Sequence, residues 1–113
     1  MNGKMLSAKM AQFDVFVNPI VRARRAYPFV VTLQSDLAQS VGDHIVAPLV
    51  PLKSIPKVIS RLTPIVALGG SEHMVLVPAL TGMRLRDLME RHASLASARG
   101  ELLGAIDYLF FGV

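Results

Sequence analysis

Short apolar segments, each bounded by glycine, proline or polar turn residues, fill most of the chain and constrain its fold more than any other feature. The segment QFDVFV at 12–17 alternates, with Phe13, Val15 and Val17 on one side. Alternation of this kind, and enrichment in β-branched residues, are typical of short strands. The segments predicted as strands are 12–17, 29–36, 45–52 and the two arms of a hairpin, PIVAL and EHMVLVPAL, that turns on Gly69-Gly70-Ser71.

The connections between these strands carry turn residues. QSVGDH at 39–44 is a turn cluster, and 53–62 is expected to contain one short helical turn. Pro48 and Pro51 cannot donate to a strand ladder, so we expect 45–52 to lie at a sheet edge or to contain a bulge.

The longest connection, NPIVRARRAYP at 18–28, is predicted to be a loop or hairpin connection with a basic tip at Arg22, Arg24 and Arg25. Such a tip is either a solvated loop or an anchor for an acidic segment of a partner. The residues leave these two interpretations open.

The last third of the chain contains one clear helix. The segment 97–110 has apolar residues at three- and four-residue spacing, which predicts an amphipathic helix. Gly100 and Gly104 either permit close approach to a neighbouring backbone or only weaken the helix start. The segment 83–95 fits both helix propensity and alternation. The apolar stripe of the helix consists of Leu102, Ala105, Ile106, Leu109 and Val113.

Composition limits the class of protein. The 113 residues suffice for one domain, and we assign it to 11–113, with 1–10 as an extension that is either disordered or a misassigned start. No apolar run is long enough to span a bilayer, and there is no cysteine, so we expect a cytoplasmic protein without a disulfide framework. The net charge of +4 is too small to indicate direct binding of nucleic acid.

No local pattern predicts catalysis, a metal or a cofactor. The three histidines, His44, His73 and His92, lie far apart in the sequence, without a second ligand at metal-binding spacing. We expect His44 and His92 to be solvated and His73 to be partly buried. The eight carboxylates likewise include no pair at a spacing that indicates acid–base chemistry.

The chain ends in IDYLFFGV, which is unusual because chain ends are commonly polar. Phe110 and Phe111 lie off the apolar stripe of the helix, so at least one is expected to be exposed, as an interface anchor would be. Gly112 permits close approach, and the carboxylate after Val113 adds negative charge. From these residues alone, a docking prong, a homodimer contact and a tail folded onto the sheet remain open.

Four stretches of the chain form a recognisable series: MAQFDVF (10–16), FVVTLQSDL (29–37), GDHIVAPL (42–49) and AIDYLFFGV (105–113). The first is M-x-F followed by an alternating strand, and the second ends in Gln-Ser-Asp and an aliphatic residue. The third has the pattern Gly-x-x-aliphatic-Val-x-Pro-Leu, and the fourth is the helix end with its tail. In their order and spacing these stretches resemble the CcdB family of toxins, and the resemblance covers about residues 10–113.

The resemblance implies a mainly β fold with one C-terminal helix, an SH3-like barrel variant of the CcdB/Kid/MazF type with a five-stranded antiparallel sheet and a smaller sheet. It implies that the segment matching 83–87 is a strand, which favours a strand followed by a loop for 83–95. It also implies a homodimer that poisons DNA gyrase, is not an enzyme, and is neutralised by an antitoxin with a disordered acidic C-terminal segment.

The same resemblance assigns roles to individual residues. The basic loop with Arg22, Arg24 and Arg25 falls where the family's first loop contributes to antitoxin binding. The residues implied to contact the gyrase A subunit are Phe111, Gly112 and Val113, with Asp107, Phe110, Leu37 and Ala38.

The sequence departs from the family pattern at three of these positions. Phe111 replaces a tryptophan, Asp107 replaces an asparagine and Ala38 replaces a larger aliphatic residue. These departures leave open a diverged, non-toxic protein that binds only the antitoxin. A second alternative is an endoribonuclease of the Kid/MazF type, because those toxins share the fold that the resemblance implies.

Overall fold

The computed structural model describes residues 10–38, 42–56 and 60–113, and in these ranges it shows seven strands and one α-helix. The predicted extension at 1–10 lies outside the described residues except for Met10. Short 3-10 turns occur at Val21–Ala23, Leu52–Ser54, Val77–Ala79, Leu85–Asp87 and Ala96–Ala98. The strands are β1 (Asp14–Val17), β2 (Phe29–Thr32), β3 (Asp43–Pro51), β4 (Ile65–Leu68), β5 (Ser71–Val75), β6 (Thr81–Arg84) and β7 (Arg91–Ser94), and the helix is α1 (Arg99–Phe111).

All strand pairs are antiparallel and form one strongly curled sheet around the long strand β3. One edge of β3 pairs with β2, and the other edge pairs with β6 near its start and with β5 near its end. The order β6-β3-β2-β1-β7 gives five strands, while β5 and β4 extend the second half of β3 as a smaller sheet. The predicted fold, a mainly β SH3-like barrel variant with one C-terminal helix, is confirmed.

Pro48 lies in the central strand, so the prediction of an edge or a bulge is wrong. Its carbonyl accepts the Leu76 N–H at 2.9 Å, on the edge that β5 and β6 share. The N–H and C=O of one strand residue point to the same edge, so the N–H that proline lacks would also lie on this edge. At Pro48 this edge has no paired strand residue, because pairing with β6 ends at Val46 and pairing with β5 begins at Leu49. No ladder bond is lost there, and Pro51 is the last residue of the strand.

Most residues of β1, of β2 and of the second half of β3 are buried, on both faces of the sheet. This explains why the sequences of β2 and β3 read as nearly continuous apolar runs. Val15 and Val31 face the main core, where α1 packs with Leu102 and Ala105. Successive residues of a strand point to opposite faces. Phe16 and Val30 accordingly belong to a second cluster, which also contains Val46 and Leu88.

Tertiary pairing decided the segments that local patterns left open. The predicted hairpin is confirmed: Gly69 and Gly70 have φ values of 59° and 83°, as a type I′ turn requires. In 83–95, the strand ends at Arg84, and a further strand, β7, occupies the part expected to be a loop, because it pairs with β1. The turn cluster 39–44 is partly outside the described residues.

His44 is buried, contrary to the expectation that it is solvated. It lies in β3 rather than in a turn, opposite Met83 of β6. Burial lowers the pKa of the His44 imidazole, and the negative charge of Asp36 opposes this shift. The folded state therefore binds a proton at His44 less readily than the unfolded state does.

We expect the free energy of unfolding to be highest above about pH 6.5, the ordinary histidine pKa, and to fall as the pH is lowered below it. Over that range the unfolded state takes up the proton first, which favours unfolding. Urea titrations of the wild type and of His44→Gln between pH 7.5 and 5 would measure this difference. An equal slope in the wild type and in His44→Gln would contradict the prediction.

Candidate functional site

The helix α1 is fixed to the core by one face. Leu102 and Ala105 are buried, and Leu103, Ile106 and Leu109 pack against the same cluster. The predicted apolar stripe is therefore confirmed for the residues within the helix.

One prediction for this helix is wrong, and one of the two open interpretations of its glycines is excluded. Val113 is 76% exposed, because the helix ends at Phe111 and the chain turns away from the core beyond it. A Cβ atom added at Gly100 or Gly104 would meet no described atom within 4 Å, so neither glycine marks a close approach to a neighbouring backbone in the described part of this chain.

The tail, defined here as residues 110–113, projects two aromatic side chains into solvent. Phe110 is 61% exposed and Phe111 is 75% exposed, which confirms that at least one lies outside the core. Gly112 has a φ of 74°, and its N–H donates to the Tyr108 carbonyl at 3.0 Å. This is a left-handed helix cap, a conformation that glycine adopts without strain, and it sets the direction of Val113.

A second contact holds the last turns of the helix in place. The Arg61 guanidinium lies 4.2 Å from the centroid of the Tyr108 ring, which is a cation–π interaction between the helix and the segment before β4. The exposed Asp107 lies on the same part of the helix, whose last turn has no basic residue. The C-terminal end of a helix carries partial negative charge, so this end of α1 suits a partner with basic groups.

The second predicted contact patch, Leu37 and Ala38, lies in a turn after β2. Leu37 is 96% exposed. Ser35 forms the turn by accepting the Leu37 N–H with its hydroxyl at 3.1 Å and the Ala38 N–H with its carbonyl at 3.0 Å. The side chain of Gln34 stabilises the turn. Its Nε2 donates to the Ala38 carbonyl, and its Oε1 accepts the Ile45 N–H at 3.3 Å.

Replacing Gln34 with alanine should loosen this turn while leaving the sheet intact. Removing two hydrogen bonds at a largely exposed site should lower the free energy of unfolding by about 1 kcal/mol. Hydrogen exchange should accelerate at the Ile45 N–H, which bonds to Gln34, but not at Val31 in the centre of β2. Gln34→Glu, which keeps an acceptor for Ile45, is the matched control, and equal exchange in all three proteins would exclude the fastening role.

The structure does not bring the tail and the Leu37 patch together within one chain. Gln12 links the turn to the start of the helix, since its N–H donates to the Asp36 carboxylate at 2.6 Å and its side-chain oxygen accepts from Arg99 at 3.1 Å. The tail is at the other end of α1, about 18 Å away at 1.5 Å per residue. The chain therefore presents two separate patches.

The basic loop is exposed as expected and has a defined structure. Buried Asn18 holds it, with its side-chain amide donating to the Tyr27 carbonyl at 2.9 Å and its side-chain oxygen accepting the Ile20 N–H at 2.9 Å. Arg24 donates from Nε to the Asn18 carbonyl. Sequence reasoning missed the exposed Ile20 and Val21 beside the arginines; their place in a turn between two strands was the available signal. All three predicted arginines, Arg22, Arg24 and Arg25, are exposed.

The histidines do not form a site. His73 is buried, and His92 is exposed but stacks on Phe29 with 4.4 Å between ring centroids. Within the described ranges, no group of three histidine, cysteine or acidic residues is placed to hold a metal ion. None of the helices in the same ranges is both long and apolar enough to cross a bilayer.

Comparison with known proteins identifies the family of the chain. A family model described as "CcdB protein" matches residues 12–112, nearly the whole chain. A search of curated proteins found no match. The chain belongs to the CcdB family, a family of toxins from toxin–antitoxin systems.

Proposed function

We propose that this protein binds the A subunit of DNA gyrase through its tail and traps the enzyme on cleaved DNA. The exposure of Phe110 and Phe111 at the end of a helix that is fixed to the core carries this proposal. Adjacent exposed aromatics are unfavourable in water unless a partner covers them, and aromatics supply much of the binding energy at protein interfaces.

We propose as gyrase contacts the residues that the family resemblance implies, and their exposure supports this choice. The main contact is the end of the tail, which consists of Phe111, Gly112 and Val113. Phe110 and Asp107 lie beside it. The helix is already ordered before binding, so docking costs little conformational entropy. Asp107 and the negative helix end favour a basic site on gyrase, and the exposed side chains of Leu37 and Ala38 supply a second, apolar contact.

In this proposal the toxin catalyses no reaction. It acts in the cytoplasm as a homodimer that occupies gyrase, and each copy contributes one tail. A cognate antitoxin neutralises it with an acidic, disordered segment that binds the basic loop at Arg22, Arg24 and Arg25. Three exposed arginines within four residues give such a segment a positive target.

Inducing the chain in a gyrase-sensitive bacterium, beside a version that lacks residues 111–113, tests the proposal. Growth arrest with trapped cleaved DNA for the full chain only would support the tail as the gyrase contact. Arrest that persists without the tail would favour RNA cleavage, which the purified protein can be assayed for directly. Absence of arrest with a folded protein would favour a diverged toxin that only binds antitoxin.

A further inference from the structure

The strand β6 has one edge without a partner strand in the described part of the chain. Among the described strands it pairs with β3 alone, through Thr81 to Arg84. Ile45 directs its backbone groups to the β2 side, since its carbonyl accepts the Leu33 N–H at 2.9 Å. Its partner Gly82 therefore directs its N–H and C=O away from β3, and Arg84, two residues on, does the same.

This free edge opens into a groove. One wall is β6 with Gly82, Met83 and Arg84, and the other is the start of the basic loop, with Ile20 and Arg24. Gly82 has no side chain to block an approaching backbone. An unpaired edge beside a groove is the geometry in which an extended peptide adds to a sheet as a further strand.

The charges indicate which peptide fits. Arg24, Arg84 and Arg86 all line the groove and are exposed, and none of them forms an ion pair with another described residue. Asp87 and Glu90 line the same groove, so an acidic partner must place its carboxylates toward the three arginines. Sequence alone did not show that Arg24 and Arg84, sixty residues apart, share one surface.

We propose that an extended acidic segment of the antitoxin adds to the free edge of β6 as a further strand. This inference rests on the proposed neutralisation by an antitoxin and extends its binding surface from the basic loop along β6. Backbone bonds to Gly82 and Arg84 fix the register of the segment. Its carboxylates meet Arg24, Arg84 and Arg86, and its apolar residues cover Ile20 and Met89.

The structure offers a matched pair of variants at Gly82. Proline at this position removes an N–H that β3 does not use and places a ring where an added strand would bond, a substitution that edge strands tolerate. Alanine keeps the N–H, and its Cβ would lie 3.8 Å from the nearest atom, Asp43 Oδ2, which is ordinary contact. The two variants differ chiefly in the blocked edge.

The probe is the protein encoded next to the toxin gene, titrated by calorimetry against the full chain. We expect Gly82→Ala to bind like the wild type and Gly82→Pro to bind roughly tenfold to a hundredfold more weakly. In the wild type, hydrogen exchange at the Gly82 and Arg84 amides should slow when the probe is bound. This measurement decides the question even if Gly82→Pro does not fold.

The other outcomes separate the two proposals. If the wild type binds the probe, but Gly82→Pro binds equally well and the two amides stay unprotected, the edge inference is overturned and neutralisation stands. If Gly82→Pro changes the toxin's mass by light scattering from dimer to monomer, the edge is a contact between copies. If the wild type does not bind the probe at all, neutralisation fails and the edge inference fails with it.

Discussion

Replacing Phe111 with alanine is expected to abolish growth arrest and trapped cleaved DNA, without measurable change in the free energy of unfolding. Three quarters of this side chain is exposed, so its removal leaves no cavity in the core. A central aromatic anchor contributes about 2–4 kcal/mol to an interface, so the affinity for purified gyrase A subunit should fall roughly 30-fold to 1,000-fold.

Two controls make this result specific. Phe111→Trp should bind gyrase at least as tightly as the wild type, because tryptophan is the stronger cation–π partner. Tyr27→Ala, which removes an exposed aromatic from the loop between β1 and β2, should leave gyrase affinity unchanged. If Phe111→Ala instead destabilised the fold by more than about 1 kcal/mol, the tail would be part of the protein's own packing.

The sequence predicted the elements whose pattern is local. The alternating segment 12–17 contains β1, the apolar and β-branched segments 29–36 and 45–52 contain β2 and most of β3, and the stripe through Leu102 and Ala105 became the buried face of α1. It did not predict that Pro48 lies in the central strand, at the point where one edge of β3 changes from pairing with β6 to pairing with β5. Such a change of partner strand depends on the whole sheet and not on the local sequence. The same holds for β7, which forms by pairing with β1, and for the burial of His44.

The candidate site divides in the same way. Helical spacing predicted that at least one of Phe110 and Phe111 lies outside the core, since successive residues are about 100° apart around the helix. The fastening of the Leu37 turn was beyond sequence reasoning, because it depends on bonds from Gln34 to backbone that the fold brings near. The link from Gln12 to Arg99 joins residues 87 positions apart and has no local signal.

Replacing Leu102 with alanine tests the other half of the proposed mechanism, the attachment of the helix. Leu102 is fully buried in the main core, so its truncation should lower the free energy of unfolding by about 3 kcal/mol through lost burial and a cavity. That is a large share of the 5–15 kcal/mol typical of a domain. Urea denaturation would measure the loss, and Leu103→Ala, at a partly buried neighbour on the same helix, should lose only about 1 kcal/mol.

The functional consequence of Leu102→Ala should differ from that of Phe111→Ala. At a low temperature, where the variant remains folded, its tail is intact and it should still bind gyrase. As the temperature rises, gyrase binding and the helical signal in circular dichroism should be lost together, because the tail is presented only while α1 is docked. Loss of binding at a temperature where the variant is fully folded would mean that Leu102 contributes to the gyrase contact itself. Leu102 would then not serve only to attach the helix to the core while the tail binds gyrase.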